Sequence, residues 1–365
     1  MVKGELQQIL WNQQYHIWKK GNLQTKDIFD IHYNARQRSY KVGEVYSGNS
    51  LYSMGYALRE YSDYHKQIYC ATEHFVTAGK TDNVGEFRDN DRKILLVPSD
   101  DRRNTLQPLT DKLIITFGPG VIPYTRNIYS DLAMQDVKSY LGKTLLLFPR
   151  HSSDDSIVLE NRKKFVDYIN DIVQQYNYDT VLCCLFYVDI TRGAYLEYQK
   201  YGWIPVTAGH QANYDFGYCL RTLMNLADHV IMQGYGSSAN YAMYLNTPVT
   251  FYSAGRGVNI EGRGIDENHN AWMEPFEKEM SELFGDYCET ITEKQYLRIS
   301  DLFGFNDVRT PQELKAILDL AAAIEKDKTI NVQHIESILQ KEKYACIRKT
   351  VMDAIKVRDK MGLKR

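Results

Sequence analysis

The chain has 365 residues, of which 44% are hydrophobic and 25% charged, and its formal net charge is -2. This balance provides no positive field for nucleic acid or anionic lipid, so the composition predicts no nucleic-acid partner. No apolar run approaches about 18 residues and the first residues lack signal-peptide features, which favours a cytoplasmic location, and the length favours two domains.

The first 140 residues predict a smaller α/β domain. Two clear strands, "KILLVPS" (93–99) and "KLIITFGPG" (112–120), lie among polar and tyrosine-rich stretches. Further upstream, Glu73 and His74 follow a short apolar run in "YCATEHFV" (69–76). A carboxylate or imidazole at a strand end can accept a proton from an attacking hydroxyl, so this pair is a candidate general base. The alternative interpretation is a polar loop end.

The most regular part of the sequence is residues 141–270, where apolar runs alternate with helical patterns. In the helical pattern 160–177, Phe165, Ile169 and Ile172 recur at the spacing of one helix face. Five strands separated by helices predict a parallel, doubly wound sheet of Rossmann type. The predicted elements are a strand from 142, a helix at 160–177, a strand at 179–190, a helix at 191–202, a strand at 203–210, a helix at 213–227, and strand, helix and strand over 229–252.

The end of the chain has a different character. The glycine-rich, charged segment 254–270 predicts a loop, and residues 271–365 predict C-terminal helices. One of these helices is marked by a complete capping box, with Thr310 at the N-cap, Pro311 at the first helical position and Glu313 two positions later.

The loop between the predicted fourth strand and the helix after it, "QGYGSS" (233–238), contains two glycines and two serines. The first turn of a helix leaves amide groups unpaired and attracts anions. Gly234 and Gly236 would allow a phosphate oxygen to approach the backbone, and Ser237 and Ser238 would add hydroxyl donors or cap the helix. The alternative is that these residues only end a strand and cap a helix.

Two more loops are expected at the same edge of the sheet, because ligands of open parallel sheets bind beyond the carboxyl ends of the strands. In "PRHSS" (149–153), Arg150 offers a planar cationic group for phosphate, and Ser152 or Ser153 could cap the next helix. In "AGHQANYD" (208–215), His210 could contact a phosphate or a sugar hydroxyl, or serve a structural role. Dispersed histidines without zinc-site spacing predict no metal site.

These motifs together resemble those of bacterial capsular and surface polysaccharide biosynthesis proteins of the GT-B glycosyltransferase superfamily. The resemblance covers about residues 112–252 and rests on "GPGVIPYT", "LGKTLLLFPRHSS", "VTAGH" and "RTLMNLADHVIMQGYGSSANYAMYLNTPV". It implies two Rossmann-like domains facing a cleft, with an acceptor-side domain at 1–140, a nucleotide-sugar domain at 141–270, and the helices of 271–365 packing on or between them.

The resemblance also implies roles for individual residues. Arg150, His151 and Ser152 would form the loop after the first strand of the donor domain. Gly236, Ser237 and Ser238 would match the diphosphate loop, while Glu73 and His74 would lie near the acceptor. The residues are thus expected to bind a nucleotide-sugar substrate without metal or cofactor, through amides and a guanidinium that meet at one pyrophosphate site.

The implied activity is transfer of a sugar from a nucleotide-sugar to a glycan or lipid-linked glycan. Peripheral contact with a membrane-bound acceptor and formation of a homodimer are both compatible with this interpretation. The predicted fourth helix contains no acidic residue, unlike the donor signature of many retaining relatives, which favours an inverting enzyme. A nucleotide-sugar 2-epimerase and a non-catalytic glycan-binding or scaffold protein are the alternatives.

Overall fold

The structure is a computed structural model that describes residues 28–38, 44–73, 89–152, 156–159, 163–252, 259–262, 267–327 and 330–361. In chain order the described helices are α1 (Ile31–Asn34), α2 (Met54–Ser62), α3 (Asp100–Leu106), α4 (Asp131–Leu141), α5 (Lys163–Tyr176), α6 (Tyr187–Thr191), α7 (Tyr195–Lys200), α8 (Phe216–Leu226), α9 (Ser237–Tyr244), α10 (Glu267–Phe284), α11 (Glu293–Phe303), α12 (Pro311–Ile324), α13 (Val332–Leu339) and α14 (Arg348–Met361). The described strands are β1 (Cys70–Thr72), β2 (Ile94–Val97), β3 (Leu113–Thr116), β4 (Thr144–Phe148), β5 (Ser156–Leu159), β6 (Thr180–Cys184), β7 (Ile204–Val206), β8 (His229–Met232), β9 (Val249–Phe251) and β10 (Asn259–Gly262).

Two compact units divide the chain. One contains the described residues among 1–38 and 126–295, and the other contains those among 39–125 and 296–365. Both units are built on parallel sheets, which confirms the predicted α/β class.

The first unit is built on a five-stranded, fully parallel sheet with the order β7-β6-β4-β8-β9. Its strands are continuous apolar runs, as expected for strands covered on both faces. In the register, Leu146 of β4 lies opposite Leu182 of β6 on one side and Val230 of β8 on the other. The predicted five-stranded doubly wound sheet is therefore confirmed.

Alternating residues of the central strands divide the core of this unit between the two faces of the sheet. Leu145 and Leu147 of β4 pack with Phe165 and Ile169 of α5 in one buried cluster. Helix α8, which packs against β4, α4 and α9, is also extensively buried, with Leu223 fully buried. The apolar spacing predicted for 160–177 thus forms the buried face of α5.

The segment 28–38 belongs to this unit although it lies far from it in sequence. Asn213 Nδ2 donates to the carbonyl of Asn34 at 2.9 Å, and the Arg38 guanidinium is paired with Asp215. Residues 126–141 join the same unit, since the amide of Ile128 donates to Thr222 Oγ1 at 2.9 Å.

The second unit is built on the parallel sheet β1-β2-β3. C-terminal helices complete it, because α12 packs against α2 and α14 packs against β3. Helix α12 begins with the predicted capping box, in which Glu313 N–H donates to Thr310 Oγ1 at 3.3 Å and Thr310 N–H donates to Glu313 Oε2 at 2.9 Å. These units differ from the predicted boundaries at 140 and 270, because both units contain segments distant in sequence.

Two predicted elements are wrong. The run 179–190 is strand only to Cys184, and α6 begins at Tyr187. The prediction of one long strand failed because a mostly apolar run has no periodicity that separates a strand from a buried helix. The predicted loop 254–270 contains β10, which pairs antiparallel with β5, and the first residues of α10. Strand pairing with a segment about 100 residues away is a tertiary effect that local composition does not reveal.

A buried histidine lies at the amino end of β8 in the five-stranded sheet. His229 is 1% exposed, its Nε2 lies 2.8 Å from Thr250 Oγ1, and its ring stacks on Tyr287 with centroids 4.4 Å apart. Burial, with a smaller contribution from the charge of Lys143, lowers the pKa of His229 to about 3. The folded protein therefore holds this imidazole neutral.

We expect this histidine to make the protein sensitive to acid. The unfolded chain takes up a proton at His229 below about pH 6.5 and the folded chain does not, so the free energy of unfolding should be about 2 kcal/mol lower at about pH 5 than at neutral pH. Urea unfolding of the wild type and of His229→Gln at both pH values measures the difference. An equal loss in both proteins would contradict the assignment.

Candidate functional site

The strand order of the five-stranded sheet determines which loops can meet. The chain proceeds from β4 to β6 and β7 in one direction, then crosses back to β8 and β9 on the other side of β4. Strands β4 and β8 are neighbours, and the chain leaves them in opposite directions, so the loops that follow them flank the topological switch point. In sheets of this kind a crevice forms at that point. Arg150 follows β4, and Gly234 follows β8.

These two loops are joined by the side chain of Gln233. The side-chain Oε1 accepts a hydrogen bond from the backbone N–H of Arg150 at 3.2 Å, and the backbone N–H of Gln233 donates to the carbonyl of Phe148 at 3.0 Å. The Arg150 guanidinium lies over Gly234, where a Cβ would be in ordinary van der Waals contact with Nε and Nη2, at 3.5 Å from each. Gly234 has φ +91°, a backbone conformation that favours glycine.

The guanidinium of Arg150 is available for a ligand. Its side chain is exposed, and within the described ranges it has no hydrogen-bond acceptor and no ion-pair partner. An exposed guanidinium whose N–H groups have no protein acceptor can donate two parallel hydrogen bonds to one phosphate.

The start of α9 lies in the same loop. Gly236 is the N-cap residue in extended conformation with φ -160°, and no side chain caps the helix. Ser237 and Ser238 are the first two helical residues, so their amides have no acceptor within the helix. The expectation that a serine hydroxyl caps this helix is wrong, because the N-cap position falls one residue earlier. Arg150, Gly234, Gly236, Ser237 and Ser238 are called the candidate phosphate site below.

His151 and Ser152 continue the loop after β4. His151 is exposed, its Nδ1 lies 3.0 Å from the carbonyl oxygen of Ser152, and its ring packs on Phe186 with centroids 4.5 Å apart. Ser152 is buried, and its amide donates to the two carboxylate oxygens of Asp189 at 3.1 and 3.3 Å. The next described element is β5, so the expectation that Ser152 caps a helix is wrong.

Asp189 was not found by reasoning from the sequence. It is 4% exposed and lies in α6, directly beyond the carboxyl end of β6. Because the run 179–190 was predicted to be one strand, Asp189 was not expected in a loop or helix beyond the edge of the sheet. The usable signal is that a charged residue inside an apolar run is costly to bury without partners.

His210 lies farther along the same edge. Its Nδ1 accepts a hydrogen bond from the amide of Ala212 at 3.1 Å, and its ring packs on Tyr187 with centroids 4.0 Å apart. Its own amide donates to the carbonyl of Asn34 at 2.9 Å, so the segment 28–38 holds this loop. Because β6 lies between β7 and β4, the loop after β7 starts about 10 Å from that after β4.

The candidate base residues belong to the other unit. Glu73 follows β1 and is 6% exposed, with Arg102 Nε at 2.8 and 3.1 Å from its two oxygens and Arg102 Nη2 at 2.5 Å from Oε1. Burial raises the pKa of Glu73, and the charge of Arg102 opposes that shift. Its role as a base stays a prediction, and His74 lies outside the described residues.

No group of three or more histidine, cysteine, aspartate or glutamate residues in the described part of the chain could hold a metal ion. No helix there is long and apolar enough to cross a membrane.

Comparisons with known proteins leave the family open. No protein-family model matches the chain, and no curated protein matches it. Among solved structures it is similar to a UDP-GlcNAc 2-epimerase from Neisseria meningitidis bound to UDP-GlcNAc. The two are 12% identical, the match covers 93% of this chain and 98% of that chain, and the TM-score is 0.36. At this TM-score the likeness carries no conclusion about function.

Proposed function

We propose that this chain is a glycosyltransferase that moves a sugar from a nucleotide-sugar donor to a surface or capsular polysaccharide acceptor, without a metal and with inversion. The observation that supports this most is the meeting of two loops at the switch point of the five-stranded sheet. There the Arg150 guanidinium lies over Gly234, and α9 begins at Ser237.

The chemistry follows from the leaving group. An acceptor hydroxyl oxygen bonds to the anomeric carbon, the bond from that carbon to the diphosphate breaks, and the diphosphate keeps the electron pair. Arg150 and the amides of Ser237 and Ser238 would donate to the phosphate oxygens as this charge develops. These donors are part of the fold before the reaction, so they need no metal to neutralise the diphosphate.

The remaining assignments are extensions of this proposal. The hydroxyl proton passes to a base, for which Glu73 and His74 are the candidates. Helix α9 contains no acidic residue, which favours inversion over the retaining pathway. The acceptor would be a glycan or lipid-linked glycan, reached from the cytoplasm, and the nucleotide-sugar serves as substrate with no further cofactor.

The direct test is calorimetry with UDP-, GDP-, ADP- and CMP-sugars and the corresponding nucleotides, in the presence of EDTA. Binding of at least one diphosphate nucleotide, followed by sugar transfer to a glycan acceptor, is the expected result. Conversion of the donor sugar without any acceptor would instead identify an epimerase. Absence of binding at millimolar concentration would overturn the proposal.

A further inference from the structure

The side chain of Gln233 continues the hydrogen-bond ladder between β4 and β8 beyond the ends of both strands. The last paired residues of these strands are Phe148 and Met232, and the Gln233 backbone N–H still donates to the Phe148 carbonyl at 3.0 Å. In a parallel ladder the next bond would run from the backbone N–H of Arg150 to the backbone carbonyl of Gln233. That N–H donates instead to Oε1 of the same glutamine, at 3.2 Å.

A side-chain oxygen takes the place of the backbone oxygen because the chain turns at Gly234. This residue has φ +91°, so the backbone leaves the extended conformation immediately after Gln233. Gln233 is 7% exposed, so its side chain is enclosed by the protein. The start of the loop after β4 is thereby fixed to the loop after β8, at the point where the Arg150 guanidinium lies over Gly234.

The loop after β8 is also fixed by contacts on its other side. The ring of Tyr235 packs edge-to-face on Phe251 of β9 and Phe276 of α10, with centroids 5.7 and 4.8 Å apart. The Tyr235 hydroxyl donates to Oδ1 of Asn240, a fully buried residue of α9, at 2.9 Å. None of these contacts involves the Gln233 side chain. Replacing that side chain should therefore leave the loop after β8 in place and release the loop that carries Arg150.

We propose that Gln233 is a positioning residue for nucleotide-sugar binding and that it acts through Arg150. Its Oε1 fixes the backbone from which the Arg150 side chain extends, which keeps the guanidinium over Gly234. A long side chain that must be ordered when the ligand binds lowers the affinity, and ordering it beforehand avoids that loss. This inference rests on the proposed function, and it adds to the candidate phosphate site a residue that works through another side chain.

A double-mutant cycle in binding affinity tests this role. The probe is whichever of UDP-glucose, GDP-mannose and ADP-glucose binds the wild type most tightly, measured by calorimetry in the presence of EDTA. Gln233→Met keeps the length of the side chain and removes the acceptor, so it should bind about tenfold more weakly. In the Arg150→Gln background the same change should cost less than about twofold, because the guanidinium that Gln233 positions is already absent.

Two further variants separate positioning from loss of stability. Gln233→Asn keeps a polar amide but is one methylene shorter, so its oxygen falls short of the Arg150 N–H and the affinity should fall as in Gln233→Met. Gln295→Met is the matched control, since Gln295 is 4% exposed in the same unit and its Oε1 also accepts a backbone N–H, from Thr292 at 2.9 Å. It should lower the Tm as Gln233→Met does and keep the affinity for the probe.

The outcomes distinguish this inference from the proposed function. Full affinity in Gln233→Met, or losses that add when it is combined with Arg150→Gln, would overturn the inference and leave the phosphate site intact. An equal loss of affinity in Gln295→Met would also overturn it, because the loss would then follow stability. Absence of binding of all three probes to the wild type at millimolar concentration would overturn the proposed function, and this inference with it.

Discussion

Arg150→Gln is expected to weaken binding of a nucleotide-diphosphate sugar by about tenfold to hundredfold. Hydrogen bonds to a charged group contribute about 1.5–3 kcal/mol, and the Arg150 guanidinium is the side chain of the candidate phosphate site that can supply two of them. The fold should be unaffected, because this guanidinium is exposed and has no acceptor within the described ranges. Calorimetry with the probe used for the wild type measures the loss.

Two other variants separate geometry from net charge. Arg150→Lys keeps the charge but loses the planar pair of donors, so its affinity should fall between those of the wild type and Arg150→Gln. Arg192→Gln removes one exposed positive charge elsewhere in the same unit and should bind normally. If Arg192→Gln and Arg150→Gln weaken binding equally, the effect is long-range and the site has been misplaced.

The sequence predicted the sheet of the first unit because its strands are continuous apolar runs bounded by polar loops. Those runs identify strands without giving their spatial order. The order places β4 beside β8, and this adjacency is what brings Arg150 to Gly234. A local pattern therefore predicted both loops, while their meeting required the tertiary structure.

Features that depend on distant segments were not predictable. The segment 28–38 joins the loop after β7 through Asn34 and Asn213, with about 180 residues between them. The buried contact of Asp189 with Ser152 likewise joins loops from two strands. Composition and periodicity describe neighbours along the chain, so contacts of this kind appear only once the sheet is assembled.

The second prediction concerns stability and the buried ion pair between Glu73 and Arg102. Glu73→Leu should lower the free energy of unfolding by about 3–5 kcal/mol, because it leaves the Arg102 guanidinium buried without its carboxylate. Arg102→Met should cost a similar amount by leaving the carboxylate unpaired. Urea unfolding at neutral pH measures both. Arg103→Met is the matched control, since its partner Asp100 is largely exposed and stays hydrated.

The double variant Glu73→Leu/Arg102→Met distinguishes a structural role of this ion pair from a catalytic role of Glu73. Two apolar side chains of similar size remove both buried charges, so the double variant should be far more stable than the sum of the single losses implies. A folded double variant also allows the catalytic role of Glu73 to be measured, because the carboxylate is removed together with the guanidinium that it pairs with. If its turnover is unchanged, the pair serves the fold and the base lies elsewhere. If turnover falls about hundredfold or more while donor affinity is kept, Glu73 is the base.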